Sequence, residues 1–218
     1  MKKILLVIFC CLTFVVCQAQ KKLNPVLKKQ LDSVMALDQK YREIMTLLLN
    51  PNKKDSVAKS LSLTVNEANA RYNTLQNHID SSNLVFIEKV FDKYGYPGKS
   101  LVGTPTNESA WNLIQHSKKI DQYMPIIKKA AEENELPFSL YAMMFDRQLQ
   151  REGKEQVYGS QVQMQKLKNG KVEAFVWPIK DPDKVNELRK EAGFTTTVEQ
   201  NAKRLGVVYR VVKMDEVK

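Results

Sequence analysis

Two ionisable side chains sit side by side inside an apolar run, with Asp146 and Arg147 between Tyr141 and Leu149. The run breaks at Gly153, and Gln156-Val157-Tyr158-Gly159-Ser160-Gln161 follows before the hydrophobic period changes. Neighbours on a helix point about 100° apart, so Asp146 and Arg147 do not pair with each other. Each needs another partner if buried, because an unpaired buried charge is costly. Arg147 suits either the main-chain carbonyls of the Gln156–Gln161 segment or a ligand carboxylate held bidentately. Asp146 suits either general acid–base work or tying down the same loop through its amides.

His116 is one of two histidines in the chain. Its ordinary pKa of about 6.5 fits proton transfer near neutrality, and it equally fits a ring that satisfies the C-terminal carbonyls of a helix. His78 lies beside an apolar stripe and reads as a helix-surface residue. Tyr158-Gly159 marks a place where backbone approaches a ligand closely, or a bulge before a hairpin. Gln161, Gln163 and Gln165 share one face of a strand, as a solvated face or a hydrogen-bonding strip for a polymer or peptide. No Walker loop, dinucleotide fingerprint or nucleophile elbow occurs. A zinc site has too few ligands, because the cysteines lie outside the expected mature chain and the two histidines are far apart. We therefore expect no cofactor and no metal.

Those cysteines are Cys10, Cys11 and Cys17, all within an N-terminal segment with Lys2 and Lys3 ahead of an apolar run from Ile4 to Val16. That run is too short to span a bilayer and has the form of a secretory signal over residues 1–19. Cleavage between Ala19 and Gln20 makes the protein exported, to the periplasm or the medium, with no transmembrane span in the mature chain. A lipoprotein anchored at Cys17 is the alternative, and the bulky Val16 before it argues against that. Removing two lysines takes the formal charge from +10 to +8. Such a surface is drawn to anionic polymers. No basic motif interleaved with aromatics occurs, so nucleic acid is not expected.

The elements that must position these residues follow from the hydrophobic period. Residues 26–49 read as one helix ended by Asn50-Pro51, and a second runs from about Asp55 through the stripe Leu61, Val65, Ala68, Tyr72, Leu75 and Ile79. Together they predict an antiparallel hairpin over residues 20–80, ahead of an α+β domain over 81–218. Ser81 and Ser82 read as N-caps of a third helix ended by Gly95. Asn107 and Asp121 read as N-caps of two more, and Leu136-Pro137 opens the helix that carries Asp146 and Arg147. Asn169-Gly170 predicts a β-hairpin, about 162–168 and 171–177, with Met164 opposite Phe175 and Lys166 opposite Glu173. Asp181-Pro182 and Thr197 with Gln200 start two final helices, and residues 207–212 form a strand or a packed tail. The fold class is α+β, predominantly α, with seven to eight helices in a bundle and one C-terminal hairpin.

The order Gly95-Tyr96-Pro97, Gly103, Ala110-Trp111, Gln115-His116, Asp146-Arg147, Gly153, Gln156 and Tyr158-Gly159-Ser160-Gln161 resembles bacterial domain-of-unknown-function family 6624. The resemblance spans roughly residues 83–193. That family usually has tryptophan at Tyr96 and threonine at Ser160. It also has an acid soon after the histidine, where this chain has Lys118 and Lys119 before Asp121, which speaks against a His116–carboxylate dyad. The resemblance implies no activity, but it selects Gln115, His116, Asp146, Arg147, Gln156, Tyr158 and Gln161. The expected function is a non-catalytic binding module of the bacterial envelope, with Gln115, Arg147, Gln156, Tyr158 and Gln161 shaping a polar groove. Its partner is an anionic or amide-rich envelope polymer, a peptide or a partner protein. The alternative is a small hydrolase or lyase with His116 and Asp146 as acid–base pair.

Overall fold

The computed structural model describes residues 23–217. The expected signal segment and Cys17 lie outside the described residues. The chain is α+β and mainly helical, with ten α-helices and one two-stranded antiparallel hairpin among the described residues.

Asn24 caps α1 (Pro25–Leu49) by accepting the Leu27 N–H, with proline in the first turn. α2 (Lys54–Ser60) is a short separate helix, and α3 (Val65–Tyr94) begins at a capping box between Thr64 and Glu67. The expected second helix from Asp55 is thus broken at residues 61–64, and the expected third is continuous with it. Ser81 and Ser82 cap nothing. Their hydroxyls donate to the carbonyls of Asn77 and His78, four residues back within the helix. Thr64-x-x-Glu67 was the stronger stop-and-start signal. α1 and α3 pack against each other, and Leu48, Ala58 and Ala68 close the far end of the pair with α2.

Beyond Gly95 come α4 (Lys99–Val102), a 3₁₀ turn at Thr106–Glu108, α5 (Ser109–Ile114), α6 (Ile120–Glu132) and α7 (Phe138–Arg151). Asn107 is not a helix cap. It is buried, and its amide donates to the Glu135 carbonyl, pinning this loop to the α6–α7 connection. Asp121 lies inside the first turn of α6, with Lys119 at the N-cap position. One core joins α1, α3, α5, α6 and α7 through Leu31, Ile87, Trp111, Ile114, Ile127 and Met144.

β1 (Val162–Lys166) and β2 (Val172–Val176) pair one residue away from the expected register. Gln163 faces Phe175, Met164 faces Ala174 and Gln165 faces Glu173. The turn is longer than the two-residue type I′ assumed: Leu167 pairs with Lys171, and Gly170 takes φ +85°. A three-residue loop with its last residue left-handed shifts one strand by one position. Side chains then change faces. Leu167, Phe175 and Trp177 are buried together with Val212, and Met164 is exposed. Glu173 pairs with Arg210 rather than Lys166.

α8 (Val185–Glu191) starts three residues later than Asp181-Pro182 suggested, because Asp181 caps only a turn at Lys184. α9 (Val198–Arg204) has the expected Thr197–Gln200 capping box. Residues 207–212 form a tail rather than a strand, ahead of α10 (Met214–Val217). Val176, Ile179, Val185, Val198, Ala202 and Val207 make a second, smaller core.

Thr64→Ala removes half of the box that starts α3. We expect a loss of about 1 kcal/mol in a denaturant melt, against no measurable change for Ser81→Ala.

Candidate functional site

α7 carries Asp146 on its buried side, at 0% exposure, and Arg147 at the core boundary. The turn after α7 brings residues 157–160 back across Asp146. Its Oδ1 accepts the N–H groups of Val157 at 2.8 Å and Tyr158 at 3.0 Å, and its Oδ2 accepts Ser160 at 3.0 Å. Several main-chain donors converging on one anion form a nest. Burial pushes the Asp146 carboxyl above its usual range, and the bonds from Tyr158, Ser160 and Val157 pull it back.

Gly159 makes this turn with φ +62°. A Cβ there would lie 2.6 Å from Val198 Cγ2 and 2.9 Å from Ile179 Cδ1. The space beside this glycine is therefore filled by the protein's own second core rather than left for a ligand.

Gln156 is fully buried and binds on both sides of its amide. Its Nε2 donates to the carbonyls of Trp177 at 2.7 Å and Gln161 at 3.0 Å, and its Oε1 accepts the Gln161 N–H at 2.9 Å. Its backbone bridges to Ile179 in parallel, so the segment before the hairpin is stitched to the segment after it.

Arg147 joins the other end of the motif. Its Nη1 donates to the Gln115 carbonyl at 3.0 Å and Oε1 at 3.4 Å, and its Nε donates to Gln161 Oε1 at 3.3 Å. Gln161 in turn donates to the Met143 carbonyl and Ser160 Oγ. Gln115, Arg147 and Gln161 thus form one continuous, partly exposed chain of polar contacts from the end of α5 to the start of the hairpin. Nη2 of Arg147 has no hydrogen bond among the described residues.

His116 follows Gln115 and is exposed, with no hydrogen bond from its ring among the described residues. It does not bond Asp146. Desolvation and the nearby Arg42 hold its pKa below the usual value, with Arg147 adding to that and Asp38 and Asp80 opposing. Those carboxylates belong to α1 and α3. Asp38, at 0% exposure, accepts Arg42 Nε, Gln76 Nε2, Asn83 Nδ2 and Gln39 Nε2. Arg42 also reaches Asp80. The charges that act on His116 thus belong in part to a polar cluster between α1 and α3 that sequence reasoning passed over.

Arg189 was also missed. It is 1% exposed, donates to the Tyr158 carbonyl at 2.8 Å and to Thr196 O at 2.8 Å, and lies 4.4 Å from the Phe194 ring centre. Its place one helical turn after the buried Val185 was the available signal: a charge on an apolar stripe. Asn201 supports the same turn by donating to the Gly159 carbonyl at 3.3 Å. No group of three or more potential metal ligands occurs among the described residues.

Asp146→Asn puts an NH₂ group among main-chain donors. We expect it to cost about 3 kcal/mol in chemical denaturation, and Gln156→Ala about 2 kcal/mol, by leaving buried main-chain groups unpaired. A residue that serves only a ligand would leave the melts unchanged. The lowered His116 pKa means that, between it and about 6.5, the unfolded chain takes up a proton that the folded chain refuses. Acidification through that window weakens the fold. An NMR titration should place the His116 midpoint below 6.5, and Arg42→Met should raise it.

Over residues 55–212 the chain matches a family described as "Family of unknown function (DUF6624)". The match reaches further in both directions than the motif-bearing segment, taking in α2, α3 and the tail after α9. No curated protein and no solved structure matches the chain. The chain belongs to this family of unknown function, DUF6624.

Proposed function

We propose that the protein is an exported, non-catalytic binding module of the bacterial envelope. Its ligand-facing groups are the outward ends of Gln115, Arg147, Tyr158 and Gln161. The observation that carries this reading is the division of labour within the motif. Asp146 and Gln156 are spent on the protein's own main chain, whereas Arg147 keeps Nη2 unbonded at a partly exposed strip. A guanidinium fixed through Nε and Nη1 is already oriented, so little side-chain freedom is lost when the remaining nitrogen meets an acceptor. The formal charge left after signal removal favours anionic polymers over cationic ones.

The acid–base alternative, His116 with Asp146, has less support. The carboxylate is sealed from solvent and bonded to three amides, and the histidine has other charged neighbours. General acid–base catalysis needs both groups within reach of one substrate.

No helix among the described residues is long and apolar enough to cross a membrane. Export is tested by locating the mature N-terminus, expected at Gln20, in a fractionated culture. The binding reading is tested by pulldown from an extract of envelope polymers with wild type, Arg147→Lys and Arg147→Ala. We expect retention by wild type and at least a fivefold loss (about 1 kcal/mol) for Arg147→Lys, with Met164→Thr on the exposed hairpin face as an unaffected control. Equal retention by all four proteins would contradict the reading.

A further inference from the structure

Five aromatic side chains from two parts of the chain form a band beside the motif. On α7, Phe138 and Tyr141 have ring centres 5.3 Å apart, and Tyr141 and Phe145 are stacked at 5.9 Å. Past the turn, Tyr158 meets Phe194 at 6.0 Å with the rings tilted by 36°. Tyr158 lies against α7, because its N–H is held by Asp146, the residue after Phe145. Phe138 is 36% exposed, and Phe145, Tyr158 and Phe194 are partly exposed.

The band is held rigidly from beneath. Arg189 donates to the Tyr158 carbonyl, lies against the Phe194 ring, and accepts the Phe194 N–H on its own carbonyl. Asp146 fixes the Tyr158 amide. These bonds all involve main chain or ring faces, and none uses a phenol hydroxyl.

The hydroxyls are the informative groups. Tyr141 is 8% exposed, yet its hydroxyl makes no hydrogen bond among the described residues, and neither does that of Tyr158. Both oxygens reach solvent, so each is open to an incoming donor or acceptor. Two unspent hydroxyls within a band of aromatic faces call for a ligand that offers apolar surface and hydrogen-bonding groups at the same spacing. A purely apolar partner would leave both hydroxyls unmet. A pyranose ring offers a face of C–H groups to an aromatic ring and hydroxyls, each donor and acceptor, around its edge.

We propose that the band Phe138–Tyr141–Phe145–Tyr158–Phe194 is a glycan-binding face, with Tyr158 and Phe194 stacking on sugar rings and the Tyr141 and Tyr158 hydroxyls bonding to sugar hydroxyls. This deepens the reading of the protein as a binding module and rests on it. It makes the polymer a polysaccharide and extends the contact surface from the Arg147 strip onto the aromatic band. Because the band is fixed before the ligand arrives, little ordering is required on binding.

The test is an NMR titration of the purified protein with cellotetraose and, in parallel, with the tetramer of N-acetylglucosamine, following the aromatic ¹³C–¹H signals. We expect at least one tetramer to shift the Tyr158 and Phe194 ring signals saturably. Tyr158→Phe and Tyr141→Phe each remove one hydroxyl that bonds nothing among the described residues, so both should melt as wild type and bind about three- to tenfold more weakly. Preference for the acetylated tetramer would assign acetamido sugars, and equal binding would assign the pyranose ring alone. Unchanged affinity in both variants would overturn the assignment of this face. Failure of both tetramers to bind, with the envelope pulldown intact, would overturn the glycan and leave the binding module standing. Failure of the pulldown as well would remove both.

Discussion

Asp146 is shut off from bulk solvent, so its charge depends on the N–H groups of Val157, Tyr158 and Ser160. The dependence runs both ways. Those amides belong to a turn that no helix or sheet ladder would satisfy, and without the carboxylate they would be buried and unpaired. The turn is also where the large helical core passes into the smaller C-terminal core. Gly159 packs against Val198 and Ile179, Gln156 bridges to Ile179, and Arg189 holds the Tyr158 carbonyl. The buried Asp146 of α7, with Arg147 beside it reaching Gln161, thus helps set where the hairpin, α8 and α9 stand relative to the helices before them.

That constraint sorts the motif into two layers. The inner layer, Asp146, Gln156, Gly159 and Arg189, is used up on the protein's own backbone and neighbouring side chains. The outer layer is what this leaves: the far edge of Arg147, the Gln115 and Gln161 amides, and the phenols of Tyr141 and Tyr158. A rigid inner layer is what lets an outer layer present several groups at fixed spacing. The polar cluster around Asp38 does a comparable job between α1 and α3, tying two long helices together through Arg42, Gln76 and Asn83. Leaving Gln76 Oε1 buried without a partner fits a network built around the demand of one carboxylate.

Much of the fold was legible because it follows from local rules. Gly95, Gly153 and the Thr197–Gln200 box mark helix ends by backbone chemistry that reads directly from the residue types. The errors came where two local signals competed. At residues 61–64 an unbroken apolar stripe hid the Thr64–Glu67 box, and at 81–82 two serines suggested a cap that the helix overrode. In the hairpin, Asn169-Gly170 located the turn but not its length, and one residue of length decides which side chains are buried. At the site, adjacency in sequence brought out Asp146, Arg147 and the segment after them. Their partners Gln115, Arg189 and Asn201 come from 31 to 42 residues away, where no local pattern reaches. The orientation that separates Asp146 from Arg147 depends on which face α6 covers, a matter of packing rather than spacing.

Native-state hydrogen exchange at the Val157, Tyr158 and Ser160 amides tests the central claim most directly. If one buried carboxylate fastens the two cores together, these three amides exchange as slowly as those in the middle of α7. In Asp146→Asn they should become faster together, with the hairpin amides of Phe175 and Trp177 following. Rapid exchange of the three amides in the wild-type protein, or loss of protection at one without the others, would contradict it.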